Sequence, residues 1–90
     1  MSEAAYQPVF DRLAALREAL RAEPSPDAVR ALYQCDRLEQ AVQHWHAEAI
    51  RFAAYTINHL AGRPESAMGD IVRQRVADLR AALADAGHTY

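Results

Sequence analysis

Apolar residues recur along the chain at the three- and four-residue spacing of amphipathic α-helices. An amino-terminal stripe contains Val9, Phe10, Leu13, Leu16 and Leu20. A carboxyl-terminal stripe contains Met68, Val72, Val76, Leu79 and Leu83. No segment of the sequence shows the period-two alternation of a half-buried strand. The pattern predicts an all-α fold.

Proline and glycine residues divide this pattern into three helices. In the sequence EPSPDA, Ser25 is a natural N-cap and Pro26 suits the first helical position. From there to residue 61 the sequence contains no glycine and no further proline, which predicts one central helix of roughly 35 residues, about 52 Å long. Gly62 and Gly87 suit helix ends. We predict a single domain with helices over residues 8–22, 26–61 and 65–85, and a flexible tail at residues 87–90.

The second half of the central helix carries more apolar surface than one partner helix covers. Placed on a helical wheel, its apolar residues span an arc of about 220°, whereas a surface helix needs about 100°. Short connections make neighbouring helices antiparallel, so the third helix covers only part of this arc. We therefore predict a three-helix antiparallel arrangement that dimerises as a helical bundle. The expected interface residues are Trp45, Ala49, Ile50, Phe52, Ala53, Ile57 and Leu60. The alternative is a monomer with an alanine-rich, half-exposed helix.

The sequence QHWHAEA places two histidines on either side of the only tryptophan. On a continuous helix His44 and His46 lie about 200° apart, so they cannot bind one metal ion together. His44 shares a polar face with Arg37, Glu48 and Arg51. This face is either solvated or, through His44 and Glu48 at a four-residue spacing, half of a metal site.

On the same wheel, His46 and Glu39 fall on the apolar face, with Cys35 beside Glu39. A buried carboxylate and a buried imidazole must be paired or neutralised. An antiparallel second copy of the helix brings Glu39 of one chain towards His46 of the other. We interpret the two residues first as a hydrogen-bonded pair that fixes register, or as edge positions that reach water. The alternative is a polar pocket at the dimer core, formed by Glu39, His46 and Cys35, that binds a metal or a small ligand. We predict no cofactor.

Charge and cysteine content narrow the classes of partner. Ten basic residues, all arginine, against twelve acidic ones give a net charge of −2, which is not the footprint of a nucleic-acid-binding protein. The chain has no apolar run of about 18 residues and no signal-peptide pattern. Its single cysteine excludes an internal disulfide. We expect a cytoplasmic protein without a membrane or nucleic-acid partner.

Two short motifs resemble known families. Arg37 and His44 resemble the Arg-x4–6-His motif of HEPN-type ribonucleases, which implies acid–base cleavage of RNA, although Leu38 stands where that motif has a polar residue. The segment LEQAVQHW resembles the Leu-Glu-Glu-Ala-Val…Trp helix of phage-encoded anti-CBASS sponges, with the tryptophan one residue out of register. That resemblance implies a helical oligomer that sequesters cyclic nucleotides.

The sequence contains no recognisable catalytic constellation. We therefore predict a non-enzymatic, oligomeric interaction or regulatory module, and leave open whether it has an activity. The first alternative is a helical oligomer that binds a metal or small ligand, such as a phage-type nucleotide-sequestering protein, in a polar pocket at the dimer core. The second alternative is a HEPN-like ribonuclease.

Overall fold

In the part of the chain that the structure describes, there are four α-helices rather than the three predicted. The computed structural model describes residues 3–63 and 68–88, and every regular element in them is helical. A short 3₁₀-helix precedes the first α-helix. In chain order the elements are the 3₁₀-helix (Glu3–Tyr6), α1 (Gln7–Ala22), α2 (Pro26–Gln43), α3 (Ala47–Gly62) and α4 (Asp70–Asp85). The predicted helix over residues 26–61 is wrong, because the chain reverses direction near its middle.

The central helix is broken by a Schellman motif without glycine. The backbone N–H of His46 donates to the carbonyl of Ala41 at 2.9 Å, and the N–H of Trp45 donates to the carbonyl of Val42 at 3.2 Å. These are the two hydrogen bonds of the motif, and they require a left-handed residue between the helices. Trp45 takes that conformation, with a φ of 56°. The prediction failed because it assumed that a glycine was needed here.

His46 begins the next helix immediately after the break. Its Nδ1 accepts a hydrogen bond from the backbone N–H of Ala49 at 3.1 Å, which makes it the N-cap of α3. Capping satisfies one of the N–H groups that the first turn of a helix leaves unpaired. Three residues therefore end α2, reverse the chain and start α3.

The reversal is favourable because it buries the wide apolar arc within one chain. Ile50 and Ile57 are 1% exposed and Leu60 is 6% exposed. Burying a side chain of this size contributes about 1.5–3 kcal/mol. A left-handed residue other than glycine costs about 1–2 kcal/mol. Three such side chains outweigh one strained residue, so the chain itself covers most of the surplus apolar surface that suggested a second subunit, with Phe52 and Trp45 left accessible.

The four helices form an up-and-down bundle. Each helix packs against the next along the chain, and α4 closes against α1. Asp27 at the start of α2 contacts Arg63 just after α3, at 3.5 Å, as an antiparallel pair requires. Tyr6 before α1 contacts His88 after α4 in the same way. The radius of gyration is 12.1 Å, close to the value of about 12 Å for one compact domain of this length.

Several predicted helix ends are confirmed. The first helix ends at Ala22 as predicted. Ser25 Oγ accepts a hydrogen bond from the Ala28 N–H at 3.0 Å, so it is the N-cap of α2. Gly87, with a φ of 100°, ends α4 in a second Schellman motif, in which the His88 N–H donates to the Leu83 carbonyl at 2.8 Å.

Other predicted boundaries differ from the structure or lie outside its described part. α4 begins at Asp70 with Gly69 as its N-cap, so Gly69 lies before the helix rather than inside it. The predicted start at residue 65 lies outside the described residues, as do residues 89–90 of the predicted tail. His88, also assigned to that tail, is held by its contact with Tyr6.

We predict that Trp45→Gly unfolds at a higher urea concentration than Trp45→Ala. Both variants lack the indole ring, so they differ only in the Cβ that strains a left-handed residue. The expected difference in unfolding free energy is about 1 kcal/mol.

Gly87→Ala serves as the reference for this comparison, because an added Cβ at Gly87 would meet no other part of the described chain within 4 Å, its immediate chain neighbours aside. That substitution should therefore reduce stability through backbone strain alone. Equal stability of the two Trp45 variants, with a measurable loss in Gly87→Ala, would contradict the proposed role of the left-handed residue.

Candidate functional site

An exposed surface on α3 carries two large aromatic side chains. Phe52 is 65% exposed and Tyr55 is 63% exposed. Together with Glu48 and Arg51 they line a shallow open cleft of about 430 Å³. The spacings of three, four and seven residues place all four on one side of the helix. We call this surface the α3 face.

The α3 face is exposed because the opposite side of the helix forms the core. The buried residues of α3 are Ile50, Ala53, Ala54, Ile57, Leu60 and Ala61. Further along the helix, the ring of Tyr55 stacks on His59 with centroids 6.0 Å apart and planes 10° from parallel. Exposed aromatic residues of this kind are typical of protein contact surfaces, where Phe, Tyr and Trp are enriched.

Charges of both signs border the aromatic residues. Glu48 is acidic, Arg51 is basic, and both are exposed. A surface with both charges beside an apolar centre can pair with a copy of itself, because a twofold contact brings the same patch of two subunits together. Glu48 and Arg51 are also two of the four residues that the sequence places on a polar face.

The helix break separates that predicted polar face into two parts. Arg37 lies on the exposed side of α2, where its Nη1 donates to the Tyr33 hydroxyl at 3.3 Å and its guanidinium lies 5.9 Å from the Tyr33 ring centroid. His44 is the C-cap of α2. Glu48 and Arg51 lie beyond the turn on α3, so one helical wheel does not describe all four residues.

The structure does not bring the predicted pocket residues together within one chain. Glu39 Oε1 accepts a hydrogen bond from Arg17 at 3.0 Å. His46 is exposed and uses Nδ1 to cap α3. Cys35 is fully buried in the hydrophobic core. No group of three or more His, Cys, Asp and Glu side chains suited to a metal ion occurs among the residues that the structure describes.

Arg17 is the partner of Glu39 that sequence reasoning missed. It also bonds Asp36, at 2.9 Å, and its own side chain is only 15% exposed. Burial lowers the pKa of the Arg17 guanidinium, but the bonds to Asp36 and Glu39 outweigh this and raise the pKa overall. The two salt bridges of Arg17 join α1 to α2. The only feature of the sequence that indicates them is a basic residue at the border of the α1 apolar stripe.

Most of the predicted interface residues lie inside the bundle. Ile50, Ala53, Ile57 and Leu60 are buried in a single chain, and Ala49 is half-buried. These residues offer little surface to a second copy. Phe52 and Trp45 remain accessible, with Trp45 48% exposed.

Aromatic side chains also meet at the end of the bundle where α1 starts and α4 ends. The Tyr6 ring meets the Trp45 ring edge to face, with centroids 5.3 Å apart and planes at 80°. Its hydroxyl shares a hydrogen bond of 2.5 Å with His88 Nε2. Burial raises the pKa of Tyr6. This cluster fixes both ends of the described chain to the turn between α2 and α3.

Comparison with protein-family models, curated proteins and solved structures gives no match to this chain. Within residues 3–63 and 68–88, no helix combines the length and the apolar character that crossing a membrane requires.

The Cys35 thiol makes stability sensitive to alkaline pH. Burial raises its pKa from 9.0 to about 12. A group whose pKa is raised by folding contributes stability that is complete below the unfolded pKa and is lost as pH rises towards the folded pKa. We therefore predict that unfolding free energy falls between about pH 9 and pH 12, by up to about 1.4 kcal/mol per pH unit from this thiol.

Urea unfolding of the wild type and of Cys35→Ala at several pH values tests this prediction. The variant should start less stable, because it lacks a buried sulfur, but should lose less stability per pH unit. Tyr6 titrates in both proteins and therefore cancels in the comparison. Parallel pH profiles for the two proteins would exclude a buried, protonated thiol.

Proposed function

We propose that the protein is a cytoplasmic, non-enzymatic interaction module that self-associates through the α3 face. The observation that carries this proposal is the exposure of Phe52 and Tyr55 side by side on one helix. Removing such rings from water supplies the main favourable term in protein association. A second copy is the proposed occupant.

Charge complementarity favours a second copy as the occupant. Glu48 and Arg51 lie three residues apart beside the aromatic residues. When two such helices meet in antiparallel orientation about a twofold axis, the acidic residue of each copy can lie near the basic residue of the other. This contact differs from the dimer expected from the sequence, because it uses the outer side of α3 and leaves its buried side within the bundle.

Self-association is tested by measuring the molar mass of the purified chain over a concentration series. We expect a mass that approaches twice the 10.0 kDa of the chain as concentration rises. Phe52→Ala should weaken the association at least about thirtyfold, the effect of losing an interface hot spot worth about 2 kcal/mol. Ile71→Ala is the matched control, because Ile71 on α4 is also 65% exposed.

A charge swap tests the orientation of the contact. Glu48→Arg alone and Arg51→Glu alone should each weaken association by placing like charges together, and the double variant should restore it. A 10.0 kDa particle at every concentration would exclude self-association. Equal losses in Phe52→Ala and Ile71→Ala would exclude the α3 face as its site.

A further inference from the structure

A second cleft lies at the end of the bundle, away from the α3 face. It is lined by Tyr6, Phe10, Val42, Gln43 and Trp45, and its volume is about 160 Å³. We call it the end cleft. Three of the five lining residues are aromatic; Tyr6 and Val42 are almost fully buried, so most of the accessible surface belongs to Trp45, Phe10 and Gln43. The size is that of a single ring, since a cavity of about 150 Å³ in another protein accommodates benzene.

We propose that the end cleft binds one small, free aromatic molecule that carries a single polar substituent, such as a phenol. Tyr6 and Trp45 already contact each other edge to face, with ring centroids 5.3 Å apart, so a bound ring does not enter between them. It packs instead on the exposed part of the Trp45 indole, stacked or edge-on, which are the favoured geometries of aromatic pairs.

The conformation of Trp45 supports this assignment. Its backbone φ of 56° is one that glycine adopts without strain, yet the position holds the largest side chain of the chain. The indole is still 48% exposed, so much of its surface is not used in packing the bundle. Strained residues of this kind occur at functional sites, and a wall for a bound ring is a use that glycine cannot provide.

Gln43 supplies the polar contact. It is exposed at the carboxyl end of α2, and its amide can both donate and accept a hydrogen bond. The Tyr6 hydroxyl is already bonded to His88, so it is not needed for the ligand. One polar group beside an apolar, aromatic wall matches a ring with one hydroxyl, and does not match a highly charged ligand.

The probe is para-fluorophenol, titrated into the full chain and followed by fluorine NMR. Trp45 is the only tryptophan, so its fluorescence reports the same event from the wall of the cleft. We expect saturable binding to one site, with the same midpoint in both measurements. Cyclohexanol, which has a similar size but no aromatic ring, should bind at least about tenfold more weakly.

Three variants localise the site. Trp45→Gly, which suits the left-handed backbone, should weaken binding at least about tenfold while circular dichroism confirms the fold. Gln43→Leu, at an exposed position, should remove the preference for para-fluorophenol over fluorobenzene. Ile71→Ala should leave binding unchanged, because Ile71 is an exposed residue of α4 that does not line the cleft.

Several outcomes would overturn the proposal. They are the absence of saturation, undiminished binding by folded Trp45→Gly, and an unchanged preference in Gln43→Leu. Equal or tighter binding of N-acetyltyrosinamide would also overturn it, because the occupant would then be an aromatic side chain of a peptide rather than a free molecule.

Discussion

The packing of α2 against α3 is the contact on which the rest of the structure depends. It is the most extensive contact between the described helices, and both helices bury small residues, among them Ala41 on α2 and Ala53 and Ala54 on α3. It exists only because the chain reverses over three residues with Trp45 in a left-handed conformation. Once α3 has folded back, its second flank is free for α4, and α4 can close against α1. The bundle and the exposed α3 face both follow from that reversal.

Local sequence patterns were sufficient to predict most of the helices but not the turn between α2 and α3. Ser25 and Gly87 are the residue types that helix ends favour, and both do what their type predicts. The two Schellman motifs have the same hydrogen bonds, yet only one has a glycine at the left-handed position. At Trp45 the conformation is imposed by tertiary burial, because Ile50 and Ile57 can reach the core only if the chain turns. The residue type at position 45 alone therefore does not predict a left-handed conformation there, because its cause is the burial of other residues.

Some residues of the candidate sites could be named from the sequence and others could not, again because contacts between distant parts of the chain decide their surroundings. Placing residues 26–61 on one wheel correctly identified an excess of apolar surface but assigned it to a second chain. The requirement that Glu39 have a partner was sound, but the partner is Arg17, on a different helix and far away in sequence. Phe52 stood at the edge of the apolar arc and could be named in advance. Tyr6 could not, since its importance comes from contacts with Trp45 and His88, which are distant along the chain.

The contact between Tyr6 and His88 brings the start of α1 and the end of α4 together. α1 begins and α4 ends side by side at one end of the bundle, whereas the link between α1 and α2 lies at the other end, where Glu23 is close to Gly69. A short linker across the joined end, combined with a cut at residues 23–25, would therefore yield a circular permutant in which all four helices stay whole. Folding of that permutant would mean that the arrangement of the bundle depends on which surfaces meet and not on the order of the helices along the chain.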